Sequence, residues 1–393
     1  MMEKIFAIIG MILCVGITYL LSDRKKEINW ISVGCAFIGQ IVLALLFIKT
    51  PLWKVIEWIS NGVTWLLAQA SEGINFVFGG LIPDGGFVFF INSLMPIVFI
   101  SGLMGILFHF GIIQKCISVV GLTVAKILKV DTLVAVNGIT NMFLGQTDAL
   151  FVTKAYLPSA KDSVIFATLV GGMTSISVSV VGLYASYGAA MEWIIVSMPL
   201  TVLSTFALTQ ILMPTQYEDV KDMQIDTSDK GINAIETMIN YATGGFKSVI
   251  GISIALMLFL SLVYMINNLL GLFFDNVTLQ GIIGIFFTPL ALLMGVPKAE
   301  VMELAQILAT KLVTNEAVAI TLPVFATLSI KAKAMATVSL MGFAGVGSIA
   351  MLVGGYSAVA PNKVSVVAKL GVKALLTATA VNMLTGAVVG LFL

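Results

Sequence analysis

Long runs of apolar residues without a charged side chain recur along the whole chain. A helix needs about 20 mainly apolar residues to cross the roughly 30 Å hydrocarbon core of a bilayer. The runs that approach or exceed this length are 5–21, 28–48, 85–108, 163–191, 193–213, 248–274, 334–361 and 374–393. The pattern therefore predicts an all-α polytopic membrane protein with about eight transmembrane helices.

Between the second and third runs, the segment 52–70 has the pattern of an amphipathic helix. Ile56 and Ile59 recur at helical spacing on one face, whereas Lys54 and Glu57 lie on the other. Two charged side chains at membrane depth would be costly, and the tryptophans of this segment are typical of a membrane interface. We expect an interfacial amphipathic helix here, and a further spanning helix is the alternative.

Two more apolar regions, about 122–157 and 279–323, are interrupted by polar and charged residues at intermediate depth. Broken backbone at this depth is tolerated only where protein or a water-filled cavity satisfies its polar groups. Each region approaches or includes a proline, Pro158 or Pro323, and each precedes a run rich in glycine and serine. These features predict two re-entrant hairpins in inverted-repeat halves, the arrangement that carries the binding site in many transporters.

Composition supports the membrane assignment. Hydrophobic residues make up 59% of the 393 residues and charged residues only 10%, whereas soluble domains carry about 25% charged residues. The net charge of +1 gives no reason to expect a nucleic-acid partner. Cys14, Cys35 and Cys116 are far apart without metal-ligand spacing, so we interpret them as reduced packing residues.

Lysine and arginine predict the orientation in the membrane. With eight spans and two hairpins, the basic stretches all fall on one side, with Lys331 and Lys333 as minor exceptions. These stretches are 24–26, 115–129, 154–161, 221–247 and 363–373. The positive-inside rule makes that side cytoplasmic. We therefore predict a multi-pass protein of the cell membrane, with both termini extracytoplasmic and a retained first span.

The longest polar stretch, 214–247, is predicted to be a solvated cytoplasmic connector. It is mixed in charge and contains, among others, Glu218, Asp219, Asp222, Asp226 and Asp229. An acidic regulatory site is the alternative interpretation, although charge runs usually form solvated surface.

Both interrupted regions place an amide and a carboxylate together in an apolar setting: Asn141 and Asp148 in the first, Asn315 and Glu316 in the second. An intramembrane carboxylate is expensive to desolvate and marks an ion or substrate path. The oxygens of Asn141 and Thr147, with freed carbonyls of a broken helix, could bind a small cation.

The alternative is that these carboxylates form buried ion pairs that hold the hairpins in place, Glu316 with Lys311 or Asp148 with Lys154.

An enzymatic role is not indicated. His109 is the only histidine and adjoins two phenylalanines at the end of an apolar run. The sequence contains no G-x-S-x-G, H-E-x-x-H or Walker motif. Without an ATP site, a carrier of this kind would depend on coupling to an ion gradient.

Four segments resemble the concentrative nucleoside transporters, and the resemblance extends over essentially the whole chain. They are 141–149 (NMFLGQTDA), 233–247, 311–319 (KLVTNEAVA) and 343–349 (FAGVGSI). The resemblance implies a homotrimer with a scaffold and a mobile transport domain that moves like an elevator. The implied division is 1–110 for scaffold helices with the interfacial helix, 111–213 for the first transport half, 214–247 for the connector, 248–278 for a scaffold helix, and 279–393 for the second transport half.

The same resemblance implies binding residues. The nucleobase would contact Gln146, Thr147, Asp148 and Val180. The ribose would contact Glu316, Phe343 and Ser348. In sodium-coupled members of the family, the positions of the cation site correspond to Asn141, Leu144, Thr147, Ser175 and Ile176.

Three positions depart from the family pattern. Asp148 stands where glutamate is usual, which shortens the reach to the base by one methylene. Ala317 replaces a common phenylalanine, and Gly345 replaces the asparagine that hydrogen-bonds ribose. Loss of one such buried partner typically costs about 1–3 kcal/mol in recognition.

The sequence thus favours symport of nucleosides into the cell, coupled to sodium or protons, without an organic cofactor. Two alternatives stay open: the same carrier fold moving a nucleobase or another ring-bearing polar metabolite, and a non-transporting membrane scaffold or solute sensor. The coupling ion and the preference for purines or pyrimidines are also open.

Overall fold

The computed structural model describes residues 2–82, 86–218, 230–274 and 277–393, and their regular secondary structure is entirely helical. The first residue of the predicted run 85–108 lies outside these ranges. So do four acidic residues of the predicted connector, Asp219, Asp222, Asp226 and Asp229.

The described residues form 18 α-helices, with short 3₁₀ turns and one π-helical turn, Phe90–Leu94, between them. The α-helices are α1 (Met2–Leu20), α2 (Trp30–Lys49), α3 (Trp53–Phe78), α4 (Pro96–His109), α5 (Ile112–Leu128), α6 (Thr132–Leu144), α7 (Asp148–Val152), α8 (Asp162–Thr174), α9 (Val181–Ser186), α10 (Met191–Leu212), α11 (Ala234–Gly271), α12 (Leu279–Leu293), α13 (Val301–Val313), α14 (Glu316–Ile320), α15 (Pro323–Thr327), α16 (Ile330–Leu340), α17 (Val346–Val359) and α18 (Val364–Phe392).

Within the described ranges, seven helical stretches are long and apolar enough to cross a membrane. They are Met2–Leu20, Trp30–Lys49, Phe90–His109, Asp162–Ser186, Met191–Leu212, Ala234–Gly271 and Pro361–Phe392. The predicted span 334–361 is not one helix, because the chain leaves the helical conformation at Met341 and starts α17 at Val346. The run 163–191 is also interrupted, between α8 and α9.

The two halves contain the same parts in the same order. Each has a helix (α5 or α12), a hairpin, a broken helix and a long final helix (α10 or α18). We call α6 with α7 hairpin 1 and α13 with α14 hairpin 2. α5 packs on α6 as α12 packs on α13, and both α8 and α16 pack on α10 and α18. This correspondence confirms the predicted repeat.

Several predicted boundaries shift in the structure. The predicted region 122–157 includes the end of α5, and the region 279–323 includes α12, so both hairpins are shorter than expected. α3 runs on to Phe78 and so extends beyond the predicted segment 52–70; with 26 residues it is long enough to cross a membrane, but it is not among the seven stretches that are also apolar enough. The connector is also shorter, since α11 already begins at Ala234.

The base of hairpin 1 is fixed by Asp131. Its carboxylate accepts hydrogen bonds from the backbone N–H groups of Leu133 (2.9 Å) and Val134 (3.2 Å), which caps α6. Burial raises the pKa of Asp131 to about 6, and the two capping N–H groups oppose that shift because they stabilise the anion. Next to it, the Thr132 hydroxyl donates to the main-chain oxygen of Glu218 (2.6 Å), which ties the connector to the hairpin.

Contacts between charged residues divide the molecule into two ends. At one end, Lys373 binds Asp23 (2.6 Å) and Lys363 lies 3.8 Å from Asp162. At the opposite end, Lys331 binds Glu3 (2.9 Å), near the N-terminus of α1. Because α18 starts beside Lys363 and runs away from it, the C-terminus also lies at the Glu3 end. We call the Lys373 end the basic end.

Cysteine labelling would check the predicted orientation of the basic end. In a background without Cys14, Cys35 and Cys116, Lys25→Cys should react with a membrane-impermeant maleimide only after the cells are opened. The matched control is Ala299→Cys, an exposed site at the Glu3 end, which should react in intact cells. Labelling of position 25 in intact cells would contradict the orientation.

Candidate functional site

The tips of both hairpins meet the two broken helices, and they do so across the repeat. At the tip of hairpin 1, Gln146 donates through Nε2 to the sulfur of Met351 in α17 (3.4 Å). In hairpin 2, Glu316 accepts a hydrogen bond from the hydroxyl of Tyr184 in α9 (2.8 Å). Each hairpin therefore contacts the broken helix of the other half.

Asn141 presents an unpaired oxygen near the tip of hairpin 1. Its Nδ2 donates to Oδ1 of Asn137 one turn earlier (3.0 Å), and Nδ2 of Asn137 approaches Oγ1 of Thr153 (3.3 Å). This chain of amides fixes the orientation of the Asn141 side chain. Among the described residues, nothing donates to Asn141 Oδ1 although it is buried. An orphaned buried oxygen of this kind can bind a cation or a solute donor.

Asn141 faces the last turn of α8, where the helix breaks. A Cβ added to Gly171 would lie 3.6 Å from Asn141 Nδ2, so the two residues pack closely. Ser175 follows in an extended conformation, and its hydroxyl donates back to the carbonyl of Gly171 (2.9 Å). Ile176 is buried and Leu144 is half-buried. Asn141 and Ser175 thus both lie at Gly171 in the last turn of α8.

The donor set is neutral. Within the ranges that the structure describes, no three His, Cys, Asp or Glu side chains form a group that could hold a metal ion. Neutral amide, hydroxyl and carbonyl oxygens suit a hard monovalent cation better than a transition metal.

Glu316 is the buried carboxylate of hairpin 2. It is the first residue of α14, and the preceding Asn315 caps that helix by accepting from the backbone N–H of Val318 (2.9 Å). The Tyr184 hydroxyl donates a hydrogen bond to one oxygen of the Glu316 carboxylate. A carboxylate held this rigidly can accept hydrogen bonds from hydroxyl groups of a solute.

The alternative pairing of Glu316 with Lys311 is not among the salt bridges of the described residues. Lys311 Nζ donates instead to the carbonyl of Ser339 in α16 (2.7 Å). With its amide oriented to satisfy both neighbours, Asn382 of α18 accepts from Lys311 Nζ (2.7 Å) and donates to the carbonyl of Thr174 (3.2 Å). Lys311 therefore links hairpin 2 to α16 and α18 of its own half and, through Asn382, to the end of α8.

The break between α16 and α17 holds Phe343, Gly345 and Ser348. The Ser348 hydroxyl donates to the carbonyl of Phe343, and Ser348 is buried. A Cβ added to Gly345 would lie 3.2 Å from the carbonyl of Thr314. The missing side chain at position 345 thus lets the tip of hairpin 2 approach the break closely.

The remaining predicted site residues differ in exposure. Val180 is buried just before α9, and Gln146 is buried at the tip of hairpin 1. Thr147 is half-buried, whereas the side chain of Asp148, the first residue of α7, is exposed.

Three residues of the site were missed from the sequence: Tyr184, Asn137 and Asn382. Tyr184 lies in the run 163–191, and Asn382 is the only amide or charged side chain of the run 374–393. An amide at that depth is a signal for a buried partner. Asn137 lies four residues before Asn141, so both fall on one helix face. This spacing was the available clue.

Two family models and full-length relatives match this chain. The family described as Na+ dependent nucleoside transporter C-terminus matches residues 193–390, and the corresponding N-terminus family matches residues 9–81. An uncharacterized transporter of Haemophilus influenzae is 34% identical, covering 100% of this chain and 98% of its own. The nucleoside permease NupC of Helicobacter pylori is 30% identical, with the same coverage of 100% and 98%.

Solved structures give the same result. CNTnw in an inward-facing substrate-bound state has a TM-score of 0.94 to this chain at 32% identity, covering 100% of both chains. A CNTnw variant in an outward-facing state has a TM-score of 0.93 at 31% identity, covering 100% of this chain and 99% of the other. The matched family regions, the full-length relatives and the shared fold all agree, and the chain is therefore a multi-pass membrane protein of the Na+-dependent nucleoside transporter family.

Proposed function

We propose that this chain is a sodium-coupled symporter that carries nucleosides into the cell. The observation that carries the proposal is the pair of buried oxygens on hairpin 1, Asn141 Oδ1 and Gln146 Oε1, which have no hydrogen-bond partner among the described residues. Asn141 packs against Gly171 and Gln146 against Gly172, both in the last turn of α8. Buried polar atoms are usually satisfied, so these two oxygens are candidate ligands for an ion and a solute.

Sodium is the proposed ligand of Asn141 Oδ1. The adjacent break frees backbone carbonyls, and the C-terminal end of α8 carries partial negative charge that favours a cation. Thr147, Ser175 and the main chains of Leu144 and Ile176 would complete the site. A bound ion would fix the tip of hairpin 1 and with it the neighbouring Gln146. Ion binding would thus prepare the surface on which the solute docks.

The solute would lie between the two hairpin tips. Gln146, Thr147 and Asp148 would meet the base from hairpin 1, with Val180 packed against it. Glu316 and Ser348 would accept hydrogen bonds from the sugar hydroxyls, beside Phe343, because the Ser348 hydroxyl already donates to the Phe343 carbonyl. Tyr184 would hold Glu316 in position, because its hydroxyl already donates to that carboxylate.

Elevator movement is part of the proposal. α4 packs along α11, outside the cluster of α8, α10, α16 and α18, and these two helices would form the stationary scaffold with α1 to α3. α11 has 38 residues, or about 57 Å at 1.5 Å per residue. That CNTnw has been solved in inward-facing and outward-facing states supports alternating access. Homotrimer formation would use apolar scaffold surface, and lipid would cover the rest.

A nucleobase, or another ring-bearing polar metabolite, is the second candidate solute. Gly345 favours it, because glycine offers no side chain to a ribose hydroxyl and the tip of hairpin 2 comes close to it. Such a solute would keep the contacts of hairpin 1 and leave Glu316 and Ser348 to bind another polar group or water.

Replacing the carboxylate of hairpin 2 should abolish transport of nucleosides. Glu316→Gln removes the charge that would accept sugar hydroxyls, and loss of a charged hydrogen bond of about 1–3 kcal/mol corresponds to about 5- to 150-fold in affinity. Radiolabelled uridine uptake into proteoliposomes measures the loss. Glu72→Gln, at an exposed site on α3, is the matched control and should transport normally. Normal uptake by Glu316→Gln would refute the site assignment.

Removing the unpaired oxygen of hairpin 1 should remove sodium coupling. We expect Asn141→Ala to lose the stimulation of uridine uptake by an inward sodium gradient, with Asn61→Ala on the exposed face of α3 as the control. Uptake is compared under a sodium gradient, a proton gradient and neither. If only a proton gradient stimulates uridine uptake by the wild type, the coupling ion is the proton and not sodium. Binding of uridine without flux under any gradient would favour a solute sensor.

The two solute classes can be separated through Gly345. If ribose is bound, Gly345→Asn should strengthen uridine binding relative to uracil, since the amide would add one hydrogen bond, whereas Gly345→Ala adds bulk without a donor. Competition of uridine, adenosine and uracil for uptake is measured in all three proteins. Wild-type transport blocked by uracil but not by uridine would make the nucleobase the substrate.

A further inference from the structure

Lys311 is the only buried lysine or arginine in the part of the chain that the structure describes. It lies on α13, one turn before the tip of hairpin 2, and the proposed solute and sodium sites do not use it. A buried ammonium at membrane depth is costly unless a specific set of acceptors replaces its water. Its retention therefore needs a function.

The hydrogen-bond acceptors of Lys311 are neutral oxygens, and the Glu316 carboxylate acts on it electrostatically. Nζ donates to the carbonyl of Ser339 and to the side-chain oxygen of Asn382, both at 2.7 Å. The Asn382 amide is oriented in turn by donating to the carbonyl of Thr174 (3.2 Å). Carbonyl and amide oxygens are also the ligands that a sodium ion would take.

The ammonium sits at the C-terminal end of a broken helix. α16 ends at Leu340, so Ser339 is among its last four residues, whose carbonyls have no partner within the helix. This end of a helix carries partial negative charge and attracts cations. Lys311 supplies that cation from the neighbouring hairpin.

In the first repeat, a hairpin residue at the corresponding place also packs against the last turn of the broken helix, but it is an asparagine. α8 ends at Thr174, and Asn141 of hairpin 1 packs against Gly171 in its last turn. Asn141 is the tenth of 13 residues of α6, and Lys311 is the eleventh of 13 residues of α13. At the end of α8, however, the structure has an unpaired Asn141 oxygen where α16 has an ammonium.

We propose that the Lys311 ammonium is a built-in cation, which permanently fills in the second repeat the site that sodium fills in the first. This inference rests on the proposed function, because it takes the end of α8 as the sodium site. Each broken helix then has one positive charge at its C-terminal end: an exchangeable sodium ion at α8 and the covalently attached ammonium of Lys311 at α16. The transporter consequently couples to a single cation, and removing the Lys311 side chain creates a second cation-binding site.

The surroundings of Lys311 fit this exchange. A small cavity adjoins it, lined among others by Ser339, Thr379 and Asn382. The hydroxyl oxygen of Ser339 is buried and has no partner within the described ranges. Loss of the ammonium would leave a space bordered by the Ser339 carbonyl, its hydroxyl and the Asn382 amide oxygen, which is a ligand set for a small hard cation.

Sodium titrations of thermal unfolding test the proposal on the full-length protein in detergent, with choline keeping the ionic strength constant. Wild type should show a rise in Tm of about 2 °C or more through its one site, and Asn141→Ala should show none. The double variant Asn141→Ala with Lys311→Ala should regain a sodium response. Asn141→Ala with Lys311→Arg, which keeps the charge, should not.

A flat titration of the double variant, with the protein folded, would overturn the proposal. Lys311→Ser, which adds a hydroxyl to the same space, is the second variant and should also restore the response. Variants that are monodisperse only in sodium support the proposal, whereas aggregation in both salts counts against it. If Asn141→Ala keeps its sodium response, the proposed first site is wrong. Lys311→Ala is then compared with the wild type: a second sodium-dependent rise in Tm in the variant supports the proposal, and its absence overturns it.

Discussion

The central constraint on this molecule is that hydrocarbon offers no hydrogen bonds to a broken helix. Each polar backbone group freed at a break must find a partner in the protein, in water or in a ligand. Two breaks, after Thr174 and after Leu340, lie in the middle of stretches that are otherwise apolar. The hairpins exist at these points because they bring amides, hydroxyls and an ammonium to the freed groups. The site is thus a consequence of how the breaks are satisfied.

The two breaks are satisfied in different ways. Around Leu340 the protein supplies its own donor, since Lys311 binds the Ser339 carbonyl. Around Thr174, local hydroxyls donate to some of the freed carbonyls; for example, the Ser175 hydroxyl donates to the Gly171 carbonyl. The Asn141 side-chain oxygen has no donor among the described residues. The halves therefore share a scaffold but differ in what they leave unfilled. That difference is the physical basis for assigning ion binding to one half.

Much of this architecture could be predicted from the sequence, because charge-free runs and interrupted runs differ in ways that hydrophobicity reports. The run 163–191 shows the limit. Its composition is that of one uninterrupted span, yet the chain becomes extended at Ser175. The run 334–361 was predicted as one helix for the same reason, but its helix ends at Leu340. Hydropathy measures the affinity of side chains for lipid and does not register whether the backbone stays helical. Contacts between residues distant in sequence, such as Tyr184 with Glu316, could not be predicted either, because only tertiary packing brings them together.

The crossed contacts of the hairpins have an evolutionary consequence. Gln146 of the first half rests on α17, and Glu316 of the second half rests on α9. A half-length ancestor could have satisfied these contacts only with a second copy of itself, in an antiparallel pair. Once both copies were joined in one chain, each could specialise, since the other was always present at equal concentration. The division of labour between an asparagine in one half and a lysine in the other is a change that a pair of identical subunits could not make.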